Sequence, residues 1–134
     1  GTPLYAIKRD SEHPMLQLRL GELDIKPGSD IYVYIWDVYD DAAALTGETF
    51  TGPITNFEEE TRTEVDFAAT DFDATDAVFR KAIPVDGGNK NQVDFSEGDI
   101  EERVPIGATR VVTAVGQSTS NISCDFVAKS LEGF

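Results

Sequence analysis

The sequence predicts an all-β protein: one domain over residues 1–134, folded as an antiparallel β-sandwich or jelly-roll of about eight short strands. Three observations carry that expectation. Apolar and polar residues alternate with period two along most of the chain, the mark of strands with one face in a core. Gly, Pro, Asn and Asp gather between the alternating runs, where they supply the backbone angles of tight turns. No stretch repeats its apolar residues at helical spacing for three turns, so nothing is available to build an α/β architecture.

Taken in order, Leu4 to Lys8 opens as a short strand and ends in the polar run Arg9-Asp10-Ser11-Glu12 before Pro14. From Met15 to Leu20, the side chains of Leu16, Leu18 and Leu20 share one face and Gln17 and Arg19 the other, a half-buried strand. Lys26-Pro27-Gly28-Ser29 is a turn, because Pro presets φ and Gly admits a positive one. Ile31 to Tyr39 is the most β-prone run and is apolar on both faces, as a strand inside a sheet must be. Asp40 to Thr46, two Asp followed by three Ala, is the one place where a short helical turn is expected.

Gly47, Gly52 and Pro53 make the next segment a loop. Thr61 to Ala68 alternates, with Thr63, Val65 and Phe67 inward and Arg62, Glu64 and Asp66 outward. Asp71 to Asp76 reads as an acidic loop, and Ala77 to Val85 as a strand with Phe79 and Ile83 inward. Asp86-Gly87-Gly88-Asn89 is a turn. Gln92 to Phe95 and Ile100 to Val104 are short strands. Arg110 to Val115 and Ile122 to Lys129, joined by the polar stretch from Gly116 to Asn121, make the best hairpin.

Composition bounds the partners. The chain has 25 acidic and 11 basic side chains, a formal net charge of -14. A phosphate backbone or an anionic bilayer repels such a surface unless its cations gather on one face. They are scattered singly or in pairs along the sequence, so neither nucleic acid nor a membrane is an expected partner. No apolar run is long enough to cross a bilayer as a helix. The surplus does suit high salt, where screening removes self-repulsion. A balance of 14 Asp and 11 Glu against 5 Lys is that of proteins from saline environments, with an ordinary acidic secreted domain as the alternative. The start at Gly1-Thr2-Pro3 rather than Met suggests a processed or excised product.

Few residues offer chemistry. Cys124 is the one cysteine, so no internal disulfide forms, and beside Ile122, Phe126 and Ala128 it reads as a small buried apolar residue. His13, the one histidine, lies next to Pro14 in a polar turn and reads as a loop residue rather than a catalytic base. One Cys and one His cannot build a zinc site of the usual kind. Asp37, between Trp36 and Val38, is the one carboxylate with apolar neighbours of the sort that raise the pKa of a catalytic acid; a strand-rim aspartate is the plainer reading.

Calcium is the more credible cofactor, since it takes six to eight oxygens from carboxylates and carbonyls. Asp71, Asp73 and Asp76 lie within one short loop and are the first candidate ligands, with Asp37, Asp40 and Asp41 a second group. The loop lacks the EF-hand glycine, and Ala82 stands where the closing glutamate belongs. Tyr32, Tyr34 and Trp36 alternate along one strand. Exposed, they would be a stacking platform for sugar rings; buried, they fill a core or an interface, which a strand inside a sheet favours. Asn121-Ile122-Ser123 is a glycosylation acceptor pattern.

These observations lead to a non-enzymatic structural or assembly module of an extracellular particle or surface, such as a capsid-associated or decoration protein of a virion, with protein partners in a homo-oligomer or larger assembly. A carbohydrate-binding sandwich module using Tyr32, Tyr34 and Trp36 is the alternative. A small hydrolase working through paired carboxylates ranks third.

Overall fold

The protein is a sandwich of antiparallel sheets, seen in a computed structural model that describes residues 1–13, 15–51, 62–95, 103–116 and 124–133. The strands are β1 (Thr2–Arg9), β2 (Gln17–Pro27), β3 (Ile31–Val38), β4 (Leu45–Thr46), β5 (Phe50–Thr51), β6 (Thr63–Asp66), β7 (Asp71–Phe72), β8 (Val78–Val85), β9 (Asn91–Asp94), β10 (Thr109–Gly116) and β11 (Cys124–Gly133), with one helical turn, α1 (Asp41–Ala44). The excess over the expected strand number lies in β4, β5 and β7, each of two residues and too short for alternation to reveal. Helix α1 falls where the sequence places it, and Asp40 caps it by accepting the Ala43 N–H at 3.1 Å.

A six-stranded sheet in the order β5-β6-β1-β10-β3-β8 faces a three-stranded sheet in the order β11-β2-β9. Between them Leu18, Leu20, Leu23 and Ile25 of β2 meet Ile31, Val33 and Ile35 of β3 and Tyr5 and Ile7 of β1. Leu18 and Leu20 share a face with Leu23 and Ile25 because the β2–β11 register shifts between them, and a bulge switches the parity of a strand. A smaller core closes the opposite face of the large sheet at one end. There α1 and the β4–β7 pair lay Ala44, Leu45 and Phe72 over Ala6 and Val111.

Gly87 marks a close approach of two loops. A Cβ there would lie 2.3 Å from the Ser29 carbonyl carbon, so only glycine lets its N–H reach Asp30 Oδ1 at 2.7 Å.

Several expectations need correction. The predicted hairpin does not form. β10 pairs with β1 and β3, while β11 pairs with β2 in the other sheet. Thr109 to Ala114 are buried on both faces, so β10 needs neighbours on both sides and a roof over each face. Phe79 points outward and is 51% exposed, whereas Ile83 packs on the core. The cause is a bulge: Ile35 pairs with Lys81 but Trp36 with Phe79, which leaves Arg80 as the extra residue. Asp66 is buried and Phe67 exposed, the reverse of the alternation. Asp66 ends β6 by accepting the N–H groups of Thr49, Ala68 and Ala69, which meets the need of a buried carboxylate for donors. Asn121, Ile122 and residues 100–102 lie outside the described residues; Val104 is buried beside β2, its N–H on the Leu18 carbonyl at 2.6 Å.

Candidate functional site

The aromatic row lies on the outer face of the six-stranded sheet, because the alternation of β3 sends Ile31, Val33 and Ile35 into the core. Tyr32 is 38% exposed, and Tyr34 and Trp36 are half-buried. Across the ladder they stand beside Pro84, Ala82 and Phe79 of β8. The rings interlock: Tyr34 lies edge-on to Trp36 at 87° and to Phe79 at 85°, with centroids 6.2 and 5.8 Å apart. Trp36 sits between Phe79 and Phe72 at 5.2 and 5.4 Å and donates its Nε1–H to Thr113 Oγ1 at 3.1 Å. Tyr32 and Tyr34 lie nearly parallel, at 5°. The row therefore fills no part of the inter-sheet core. Its Trp36 end is covered and its Tyr32 end is open.

At the covered end, Asp37 turns inward and is fully buried. Arg110, directly opposite on β10, donates Nε to Oδ1 and Nη2 to Oδ2, both at 2.9 Å. The bulge aims Arg80 at the same carboxylate, with Nε 2.7 Å from Oδ2. Arg110 also reaches the Arg103 carbonyl. Two guanidiniums on one carboxylate form an ionic anchor, and the catalytic-acid reading of Asp37 has no support in this geometry. Close by, Arg9 donates to the carbonyls of Leu16, Pro105 and Val104, tying two segments of irregular backbone to β1.

Among the described residues the acidic candidates do not bring three ligand oxygens within 4.8 Å of one another. Asp71 pairs with Thr46 across the β4–β7 ladder. Asp73 accepts the N–H and hydroxyl of Thr75, which holds its carboxyl below the usual range. Asp73 and Asp76 line a cavity of about 190 Å³ with Asp40. Among the described residues the one set of three ligand groups within 4.8 Å is Asp10, Glu12 and His13. There the Arg62 guanidinium lies 2.8 Å from His13 Nε2; since Arg only donates, that nitrogen is already used as an acceptor. Cys124 is half-buried, and burial and the neighbouring Asp125 push its thiol up, away from thiolate reactivity.

One titratable group stands out. Glu48 lies beside Asp41, whose other neighbour is Lys8 Nζ at 3.4 Å. Burial first, then the hydrogen bond and charge of Asp41, push the Glu48 carboxyl up to about 7.

Sequence reasoning missed the ionic anchor, although its signal was present. Asp37 shares the strand parity of Ile31, Val33 and Ile35, and Arg110 that of Val112 and Ala114. Opposite charges at inward positions of two apolar strands imply a pair. On the surface, a depression of about 750 Å³ on the small sheet is lined by charges of both signs, including Asp24, Lys26, Lys90 and Asp125. In comparisons with known proteins, the chain matches no family model, no curated protein and no solved structure.

Proposed function

We propose that this chain is a non-enzymatic structural module that works by surface assembly, as a component of an extracellular particle or surface in a saline setting, of the kind that decorates a virion. The observation that supports this reading is the open aromatic end of the large sheet. Tyr32 is exposed there beside Pro84 and Ala82, and Phe79 is exposed at the other end of the row beside Trp36, on a chain whose net charge is -14. Exposed aromatic area on a rigid sheet is what protein interfaces use for their central contacts.

Ring geometry favours assembly over sugar binding. A stacking platform offers several ring faces to solvent in one plane. Tyr34 and Trp36 are instead perpendicular, and Trp36 is hemmed in by Phe72 and Phe79. Fractionation of source material in molar salt tests the assembly reading: the chain is expected to travel with a particle or complex, and recovery as a free monomer throughout overturns it. Trp36 fluorescence is expected to stay unchanged across a panel of soluble polysaccharides; a saturable change abolished by Tyr32→Ala would transfer the face to carbohydrate.

A further inference from the structure

We infer that the depression on the outer face of the three-stranded sheet is a binding site for an uncharged saccharide, whose hydroxyls hydrogen-bond to a locally neutral grid of charged and amide side chains. The inference is independent of the assembly reading, because the aromatic row lies on the other sheet.

The ladder of the small sheet sets out the grid. Asp24 of β2 stands between Val127 of β11 and Gln92 of β9. Two residues along, Lys26 stands opposite Asp125, with Lys90, the residue before β9, on its other flank. Neighbouring strands are about 4.8 Å apart and alternate residues about 6.7 Å apart along a strand, spacings that one or two linked sugar rings bridge. The depression measures about 750 Å³, within the range of small-ligand sites. The cavity lined by Asp40, Asp73 and Asp76, at about 190 Å³, falls below it.

One wall of the depression is held in place by the protein itself. Asn91 donates its amide to the carbonyls of Asp86 and Asn89, both at 3.0 Å. Gln92 donates to Glu22 at 3.1 Å, and Lys129 meets the same carboxylate at 3.7 Å. These bonds use amide N–H groups and leave the amide oxygens as fixed acceptors, which lowers the ordering cost of binding.

The charges select the occupant. Among the described residues, no ion pair or hydrogen bond takes up the side chains of Asp24, Lys26, Lys90 or Asp125, although Lys26 and Asp125 are directly opposite. Two Lys and two Asp cancel, so the site prefers neither sign. An anion would meet Lys26 and Lys90 but also Asp24 and Asp125, on a chain whose net charge of -14 repels it at a distance. A cation would face the two lysines. A hydroxyl both donates and accepts, so neighbouring sugar hydroxyls serve the lysines and the aspartates together, each bond having one charged partner. Exposed Val127 adds a small apolar spot for the C–H face of a ring. A zwitterion would also meet both signs, but its ionic hold would fade in molar salt.

Isothermal titration calorimetry of the purified chain tests the inference. The probes are neutral oligosaccharides of glucose, mannose, galactose and N-acetylglucosamine, with polygalacturonate and a chitosan oligomer as anionic and cationic counterparts. Saturable binding of at least one neutral probe is expected, with a dissociation constant that changes by less than about threefold between dilute buffer and molar sodium chloride, since screening acts between charges. Asp24→Ala and Lys26→Ala, both at exposed positions, are each expected to weaken it by about tenfold, with circular dichroism spectra unchanged. Absence of binding by every neutral probe overturns the inference. Undiminished binding in both folded variants overturns the assignment to this face. Tighter binding of either charged probe, lost in molar salt, overturns the uncharged class. None of these results bears on the assembly reading, which the source fractionation decides.

Discussion

Within a single strand, β3 passes from an open end, where Tyr32 stands on an aromatic outer face, to a closed end, where Asp37 is sealed inside with Arg110 and Arg80. The two ends divide the work of a chain rich in acids. At the closed end charge is used for internal order, since each ion is held by partners in a fixed geometry. At the open end the large sheet offers aromatic rings, Tyr32 and Tyr34 lying nearly parallel. Cations drawn inward, Arg110 and Arg80 on Asp37, make the outer surface more acidic than the residue count suggests, which sharpens the contrast between that surface and the aromatic patch.

The largest expected effect comes from breaking the closed end. Asp37→Asn takes the carboxylate's charge from between the Arg110 and Arg80 guanidiniums, and loss of one partner of such a buried pair costs about 3–5 kcal/mol. Urea denaturation measures it. Replacing both partners, as Asp37→Leu with Arg110→Met, is expected to recover most of that loss, because a well-packed apolar pair does not strand a charge; Arg80 is partly exposed and can turn to solvent. A cost for Asp37→Asn below about 1 kcal/mol would place the pair among ordinary surface ion pairs.

Outer-face changes should cost less. Trp36→Phe keeps a ring between Phe72 and Phe79 but loses the donor to Thr113, worth about 1 kcal/mol. Tyr32→Ala, at an exposed position, is expected to fall within about 0.5 kcal/mol of wild type. A larger cost for Tyr32→Ala would mean that the open end is part of the core.

Salt separates the ends again. The melting temperature is expected to rise from dilute buffer to molar salt as surface repulsion is screened, while the deficit of Asp37→Asn persists, because buried ions are screened much less. A melting temperature that does not rise argues against the saline setting.

These contrasts also explain what was legible in the sequence. Each of the longer strands is announced by alternation or by an apolar run, and α1 by its Asp-Ala composition. The aromatic row was visible in Tyr32, Tyr34 and Trp36, but the face it would occupy was not, because a run apolar on both sides fits either a core or an outer cluster. Two kinds of information were hidden. Pairing of β10 with β1 and β3 rather than with β11 depends on contacts distant in sequence, and local turn signals cannot rank them. The Arg80 bulge shifts parity by one residue, so Phe79 was assigned to the wrong face by a rule that assumes an unbroken strand. Asp66 failed for a related reason, since at a strand end its oxygens serve the turn and no longer follow alternation.

A last effect, set by pH, belongs to the covered end, where α1 and the β4–β7 pair lie over the outer face and Glu48 meets Asp41. Glu48 holds its proton up to about 7 in the folded protein against 4.5 for the ordinary group, so between those values the native state binds more protons than the unfolded chain. Stability from this group is complete below about pH 4.5 and is lost as the pH rises through 7. Glu48→Gln mimics the protonated form at every pH. The variant should match wild type near pH 4.5 and melt a few degrees higher at pH 8, as measured by paired thermal scans. Asp66 and Lys8 also act on Glu48, in opposite senses, so Lys8→Gln should widen the gap at pH 8 by removing the one cation that favours the ionised form. A gap that is constant with pH would show that Glu48 titrates alike in both states and that the cover over the outer face carries no proton-linked strain.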